Sequence, residues 1–471
     1  MSWAALRRAI LAGALLVLLC PAGAWAARPL ELGFSDSAYT GPDAASWLQR
    51  SAQAGADMVR IDIGWDAPDT AIRPAGFDAR NPADPHYNFT AADAAIREAS
   101  AIGLRVLVLI NGAPLWAEGP GRPADVPQGT WRPNPAALED YAVALGLRYS
   151  GHFPDPANPG HMLPRVAAFQ VWNEPNLSEY LNPQWSGTSA AAPTIYRAML
   201  NSFYRGVKSV DPQALVVTAG TAPFGDPQIG GQRIQPALFW RDVLCVKSTP
   251  NGGLAGTGCS DPAHFDVLAH HPYSWGSPLT HALWPDDVAV PDLGKLTRIL
   301  RVAERTGGAL PRIHHPVWVT EIGYNSQPPN PAGVPIAEQA RWLEQSFAEL
   351  WREGVSAVFW YEVGDAPDDP SSTGATQSGV YYVDGQPKPA LTAFRFPLVA
   401  WRGTGPAVDV WGRTPAGGRL VIEQLVGSAW KAVRTLRERA QATFLTEITA
   451  RGTAILRAQI AGQNSLDWRL G

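Results

Sequence analysis

The sequence predicts a (β/α)8 barrel followed by a small β-sandwich, an α/β fold that rests on three observations. Short β-rich apolar runs alternate with longer amphipathic stretches, which is the pattern of βα units around a parallel sheet. Those runs number eight, the barrel number. After Pro397 the pattern changes to closely spaced strand-like runs with glycines between them. A chain of 471 residues suits a barrel plus one accessory module.

The elements follow in order. Residues 1–27 open with Arg7 and Arg8, continue with an apolar run over 9–19 and close on Ala24-Trp25-Ala26, the three parts of a secretory signal. Cleavage near Ala26 or Ala27 is expected, and with it a secreted protein, extracellular or periplasmic, with no membrane span. An uncleaved anchor is the competing reading, but the run is shorter than the ~20 apolar residues a span needs. Cys20 invites a lipoprotein reading, which Val17-Leu18-Leu19 disfavours because small residues are missing before the cysteine.

The barrel is assigned to residues 28–397. Its predicted strands are 30–35, 58–65, 105–110, 166–172, 215–220, 265–270, 317–321 and 357–363. Predicted helices lie between them, among them 135–149, 194–210 and 336–353. The first of these starts on Pro135 and is followed by Gly151, as helix asymmetry favours. Residues 398–471 form the predicted sandwich, in which 419–423 and 454–460 alternate as strands do and 430–442 has helix-like composition. Carbohydrate binding is one role for this tail, and a buttress packed on the barrel is the other.

Composition narrows the partners. A formal net charge of −4 and no Lys/Arg cluster interleaved with aromatics argue against nucleic acid. The 19 tryptophans exceed what packing alone calls for, and an indole face suits the C–H face of a sugar, although most will be ordinary core or surface residues. Beyond the signal only Cys245 and Cys259 remain, an even pair in an exported chain flanking the Gly-rich stretch 251–258. A disulfide closing that loop is expected, the alternative being two thiols that never meet. Zinc would need more ligands at regular spacing.

Two strands carry the chemistry. The apolar run Phe169-Gln170-Val171-Trp172 stops in Asn173-Glu174-Pro175, and Val317-Trp318-Val319-Thr320 delivers Glu321 before Gly323. The strand order puts Glu174 at the end of the fourth strand and Glu321 at the end of the seventh. C-terminal strand ends converge on one barrel rim, so the two carboxyls can face each other across a substrate. Either glutamate alone is as readily an ion-pair partner or a helix cap. Together they suit glycoside hydrolysis, in which one carboxyl stays protonated and its partner ionised. Asn173 can donate to a sugar hydroxyl beside the reacting carbon, which assigns Glu174 as acid/base and Glu321 as nucleophile.

On these residues the stretch 28–397 resembles the retaining glycoside hydrolases of clan A, specifically families 5 and 39. In that group the glutamate after the fourth strand is the acid/base and the one after the seventh is the nucleophile. The resemblance further implies substrate-site roles for Arg60 beside the nucleophile, for His271 and Tyr273 of His271-Pro272-Tyr273, and for Trp360 as a sugar-stacking ring. Family 5 commonly has a histidine after the third strand, where this chain has Ile110-Asn111-Gly112 and then Pro114-Leu115-Trp116. That departure points to family 39, with Asn111 and Trp116 as further substrate-site candidates and Trp65, Trp275 and Tyr324 as weaker ones.

Each has a plainer reading. Arg60 can pair with Asp62 or Asp66, His271 can be a satisfied core histidine, Tyr273 can be packing, and Trp360 can be core. The expected reaction is a double displacement on a carbohydrate with net retention, needing no metal or organic cofactor. The alternatives are a non-catalytic secreted carbohydrate-binding protein and a transglycosylase that remodels exopolysaccharide.

Overall fold

In the computed structural model, which describes residues 27–367 and 377–471, the first half of the expectation is met. The predicted signal lies outside these residues, as does most of the loop 365–378. Eight parallel strands form the barrel sheet: β1 Glu31–Ser35, β2 Met58–Asp62, β3 Arg105–Ile110, β4 Ala168–Val171, β5 Leu215–Thr218, β6 Leu268–His270, β7 Val317–Ile322 and β8 Val355–Tyr361. The sheet runs β6-β7-β8-β1-β2-β3-β4-β5. It closes where Thr218 N donates to Val267 O at 3.0 Å, just ahead of β6.

Helices cover the outside. They are α1 Ala44–Gln53, α2 Thr90–Ala101, α3 Pro135–Arg148, α4 Ala192–Val210, α5 Pro236–Val243, α6 Gly294–Thr306, α7 Ile336–Arg352 and α8 Pro389–Arg395. Local chemistry sets their ends. Asn134 caps α3 through Oδ1, which accepts from the N–H groups of Ala136 and Ala137, with Pro135 at the first position. Gly307 ends α6 at φ 84°, a left-handed conformation that costs glycine little.

Strand alternation sorts the barrel's side chains into layers. Met58, Leu107, Ala168, Val217, Trp318, Ala357 and Phe359 fill the interior as one apolar plug. Two residues further along their strands, the inward positions become polar: Arg60, Gln170 and Thr320 are buried above the plug, beside Ser35 of β1. The switch from apolar to polar marks where the packed core ends and the site begins.

From Leu398 onward the chain is antiparallel. One sheet contains β9 Leu398–Arg402, β10 Ala407–Arg413 and β13 Thr443–Thr449; the other contains β11 Gly418–Val426, β12 Ala429–Glu438 and β14 Ile455–Ile460. Residues 430–442 are therefore largely strand, against their helix-like composition. Pairing of β12 along the whole of β11 satisfies the backbone and outweighs a weak local propensity. The unit packs on the barrel through Arg413, whose Nη2 donates to both oxygens of Asp57 at 2.8 and 2.7 Å, and through Trp411 beside Trp351.

Cys245 and Cys259 are joined by a disulfide with Cα atoms 5.9 Å apart. Between them a short antiparallel pair, Val246–Ser248 with Leu254–Gly256, forms the hairpin that the bond closes. Among the described residues no helix is long and apolar enough to cross a membrane.

Candidate active site

The site is built on the C-terminal rim from β1, β2, β4, β6 and β7. Where β4 ends, the backbone turns sharply: Trp172 and Glu174 hold φ of 76° and 34°, the left-handed region that costs a side-chain-bearing residue roughly 1–3 kcal/mol. Neighbours hold both in place. Trp172 N donates to Ile110 O at 2.7 Å and its indole to Tyr180 O at 2.8 Å, while Glu174 N donates to Gly220 O at 3.0 Å. This turn aims the Glu174 carboxyl across the rim.

An oxygen of Glu174, an oxygen of Glu321 and a ring nitrogen of His271 all lie within 4.8 Å of one another. The two side chains are only 14% and 15% exposed, so both carboxyls are largely stripped of water while open to a cleft. Their surroundings differ. Glu321 Oε1 accepts from Arg60 Nη1 at 2.6 Å and Oε2 from the Tyr273 hydroxyl at 3.2 Å. Glu174 Oε1 meets only His271 Nδ1, at 2.9 Å.

That asymmetry separates their proton affinities. Burial pushes Glu174 above its ordinary carboxyl value, against the weaker opposing pull of His271. Burial acts on Glu321 too, but there the attraction of His271 and of the Arg60 guanidinium, with the Arg60 and Tyr273 hydrogen bonds, outweighs it and the net shift is downward. One carboxyl is thus disposed to hold a proton and the other to stay charged.

A chain of hydrogen bonds ties the two together. His271 Nε2 meets Thr320 Oγ1 at 2.9 Å, Gln170 Nε2 donates to the same oxygen at 2.9 Å, and Arg60 Nε donates to Gln170 Oε1 at 2.6 Å, returning to Glu321 through Nη1. Arg60 also donates to Ser35 Oγ and to Asn173 Oδ1. The second contact turns the Asn173 amide oxygen toward the arginine and its N–H2 donor side away. Gly220 leaves room for the ring of His271, since a Cβ there would stand 2.1 Å from its Nε2.

Glu174, His271 and Glu321 are also the one group of acidic and histidine residues among those described whose ligand atoms converge closely enough for a cation. The donor set fits a metal poorly. Both ring nitrogens of His271 are engaged, and a guanidinium already neutralises Glu321. The arrangement is that of two unlike carboxyls held ready for proton transfer and for support of positive charge.

The other candidates fall in different places. Arg60, Asn173, His271 and Tyr273 meet at the two glutamates, with His271 buried beneath Glu174 and joined to it directly. Trp360 does not reach the cleft. It is fully buried, donates its indole N–H to Ser378 O at 2.7 Å and packs edge-on to Phe347 of α7, so it has no free face for a sugar. Its neighbour Tyr361 lines the cleft instead, because adjacent strand residues point to opposite faces. Asn111 donates to Asp62 at 2.9 Å, and Trp116 packs against Trp65 and Phe77 with its indole on Pro68 O; neither lines the cleft. Tyr324 and Trp275 do line it, the latter 86% exposed at the rim.

Gln170, Thr320, Ser35 and Tyr361 escaped sequence reasoning. A signal for the first two existed: each is a polar residue at an inward position of an otherwise apolar strand, two places beyond a residue of the apolar plug. The cleft itself is about 590 Å³, within the range of ligand pockets. Leu177, Ala222 and Phe224 wall the Glu174 side, and Gly323, Tyr324 and Tyr361 the Glu321 side.

No protein-family model matches the chain, and no curated protein sequence matches it either. Solved structures do. A family 39 glycoside hydrolase from the gut symbiont Bacteroides cellulosilyticus is 18% identical with a TM-score of 0.55, covering 90% of this chain and 81% of its own. A glucosidase from Croceicoccus marinus is 14% identical with a TM-score of 0.51, covering 91% of this chain and 94% of its own. At these identities the likeness is one of fold, and it extends over the barrel and the C-terminal sheets together.

Proposed function

We propose that the chain is an exported retaining glycoside hydrolase that cleaves an O-glycosidic bond in an oligo- or polysaccharide, with Glu321 as nucleophile and Glu174 as acid/base. One observation carries this reading: two glutamates on one barrel rim approach within 4.8 Å, and opposed surroundings drive their proton affinities apart. Carboxyls about 5–5.5 Å apart serve retaining hydrolysis, whereas inverting enzymes keep them about 6.5–9.5 Å apart to admit a water. A nearest approach within 4.8 Å falls on the retaining side of that division.

The steps follow from the contacts. Glu321, ionised beside Arg60 and Tyr273, attacks the anomeric carbon as the bond to the leaving oxygen breaks, and Glu174 passes its proton to that oxygen. The Glu174 carboxylate then takes a proton from water, whose oxygen displaces Glu321 from the anomeric carbon. His271 contacts Glu174 in both states, since its Nδ1 can receive a hydrogen bond from the acid or give one to the carboxylate. Export accords with the disulfide, which forms and persists in oxidising compartments.

The test is a glycan panel assayed with wild type, Glu321→Gln and Glu174→Gln. Wild type releases a product whose first-formed anomer keeps the substrate's configuration by proton NMR. Glu321→Gln loses activity on every substrate. Glu174→Gln loses roughly 10²–10⁴-fold on natural glycans and much less on aryl glycosides whose leaving group needs no proton. Inversion at the anomeric carbon, or full activity in Glu321→Gln, overturns the reading.

A further inference from the structure

The overall charge of −4 conceals a segregation: residues 398–471 carry ten Lys/Arg against five Asp/Glu, a net +5, so the rest of the chain is strongly acidic. Four of the ten, Arg419, Lys431, Arg434 and Arg437, lie on strands β11 and β12. Arg419 and Arg437 are directly opposite each other across the β11–β12 pair, and both are exposed. Strand alternation sets them on the face away from Leu420, Ile422, Leu456 and Ala458, the buried inner face of that sheet. Among the described residues neither has a carboxylate within 4 Å, and nor does Arg439 just past β12.

Like charges directly opposite in a sheet are destabilising. Edge strands carry charge that discourages pairing with other chains, and Arg419 lies where β11 pairs with β12 alone, two residues before its pairing with β14 begins at Val421. The same face carries Trp430, over which the Arg457 guanidinium lies at 4.1 Å while pairing with Glu423 at 2.8 Å. Two unneutralised planar forks and, six positions or roughly 20 Å along the strand, a half-buried indole are suited to an extended polymer that presents both carboxylates and sugar faces.

We propose that this outer face binds an anionic polysaccharide, with the carboxylates of its uronate units on Arg419 and Arg437 and a sugar ring against Trp430. The choice of polysaccharide over other polyanions rests on the glycosidase reading of the barrel; the presence of the cationic face does not. Bound here, the polymer is held to a chain whose barrel would otherwise repel it.

The test uses the full mature chain and polygalacturonate as probe, with neutral dextran as comparison. Affinity electrophoresis at low salt should show retardation by polygalacturonate alone, fading as salt screens the contact. Arg419→Ala/Arg437→Ala should weaken it about tenfold or more. Arg312→Ala/Arg451→Ala, which removes equal charge at exposed sites elsewhere, should leave it within about twofold. Arg437→Gln on the edge strand gives a milder second variant, and unchanged thermal midpoints show that folding is intact. Equal retardation by dextran, a wild-type response from both Arg419/Arg437 variants, or equal or tighter binding of a short DNA duplex overturns the proposal. Running the same gels with Glu321→Gln separates it from catalysis, because binding there persists whether or not the barrel hydrolyses anything.

Discussion

At the scale of single residues, the site depends on keeping two like carboxyls unlike. Glu321 is held down chiefly by His271 and Arg60 against its burial, so removing the guanidinium lets burial prevail. Arg60→Gln should therefore move the acid limb of the kcat/KM pH profile upward, because Glu321 then takes up its proton at higher pH, and should lower kcat as well. An acid limb that stays in place assigns that limb to a group other than Glu321. The proposed roles assign the alkaline limb to Glu174, whose raised affinity keeps it protonated above the ordinary carboxylate range. The places of the two glutamates were legible because each interrupts an apolar run at a strand end. The Trp172 and Glu174 backbone conformations were not, since nothing in Trp-Asn-Glu-Pro demands a left-handed tryptophan; tertiary contacts with Ile110, Tyr180 and Gly220 impose it.

At the scale of elements, β8 shows how one residue of parity decides function. Phe359 fills the barrel plug and Tyr361, two places on, faces the cleft, so Trp360 between them must face α7. The period-two rule already held this answer, while the resemblance to a stacking tryptophan pointed one residue away. Trp360→Ala should cost about 3–5 kcal/mol of stability, measured by urea unfolding, through the cavity it leaves. Tyr361→Ala should instead raise KM several-fold, roughly 1 kcal/mol of lost ring contact, with a nearly unchanged unfolding midpoint. If the two outcomes are exchanged, the assignment of faces is wrong. The hairpin closed by Cys245 and Cys259 is a separate element, and 14 residues separate the pair. Cys245→Ala/Cys259→Ala should lose about 3 kcal/mol or less in the same measurement, the loop-entropy value for a ring of this size, and leave kcat intact.

At the scale of the whole molecule, the barrel was legible because its eight strands are apolar enough to stand out singly, whereas β12 lay in a stretch of helix-like composition, because its basic sequence becomes a strand only through β11. The buried acidic groups outside the two glutamates of the site were not legible. Burial, with Asp365 and Asp36 nearby, pushes Glu362 up to about 9, and burial pushes Asp36 to about 6 despite three backbone N–H donors. An unfolded carboxyl titrates near 4, so between that value and these the folded chain holds protons that the unfolded chain has released. Stability then falls as pH rises, by about 1.4 kcal/mol per pH unit for each such group, and the Asp36 contribution ends near pH 6 while that of Glu362 continues toward 9. The carboxyls held low, Asp84, Asp155, Asp292, Glu304 and Glu321, act in the opposite sense only in acid, but the imidazoles that burial holds low, His270 at about 3 and His315, do so until the unfolded imidazole loses its proton near pH 6.5, so the decline emerges above about pH 7. Urea unfolding at intervals from about pH 7 to 8.5 should show the wild type weakening. Glu362→Gln, which is neutral at every pH, should flatten the upper half of that slope, and an unchanged slope would mean that Glu362 is ionised in the folded protein at neutral pH.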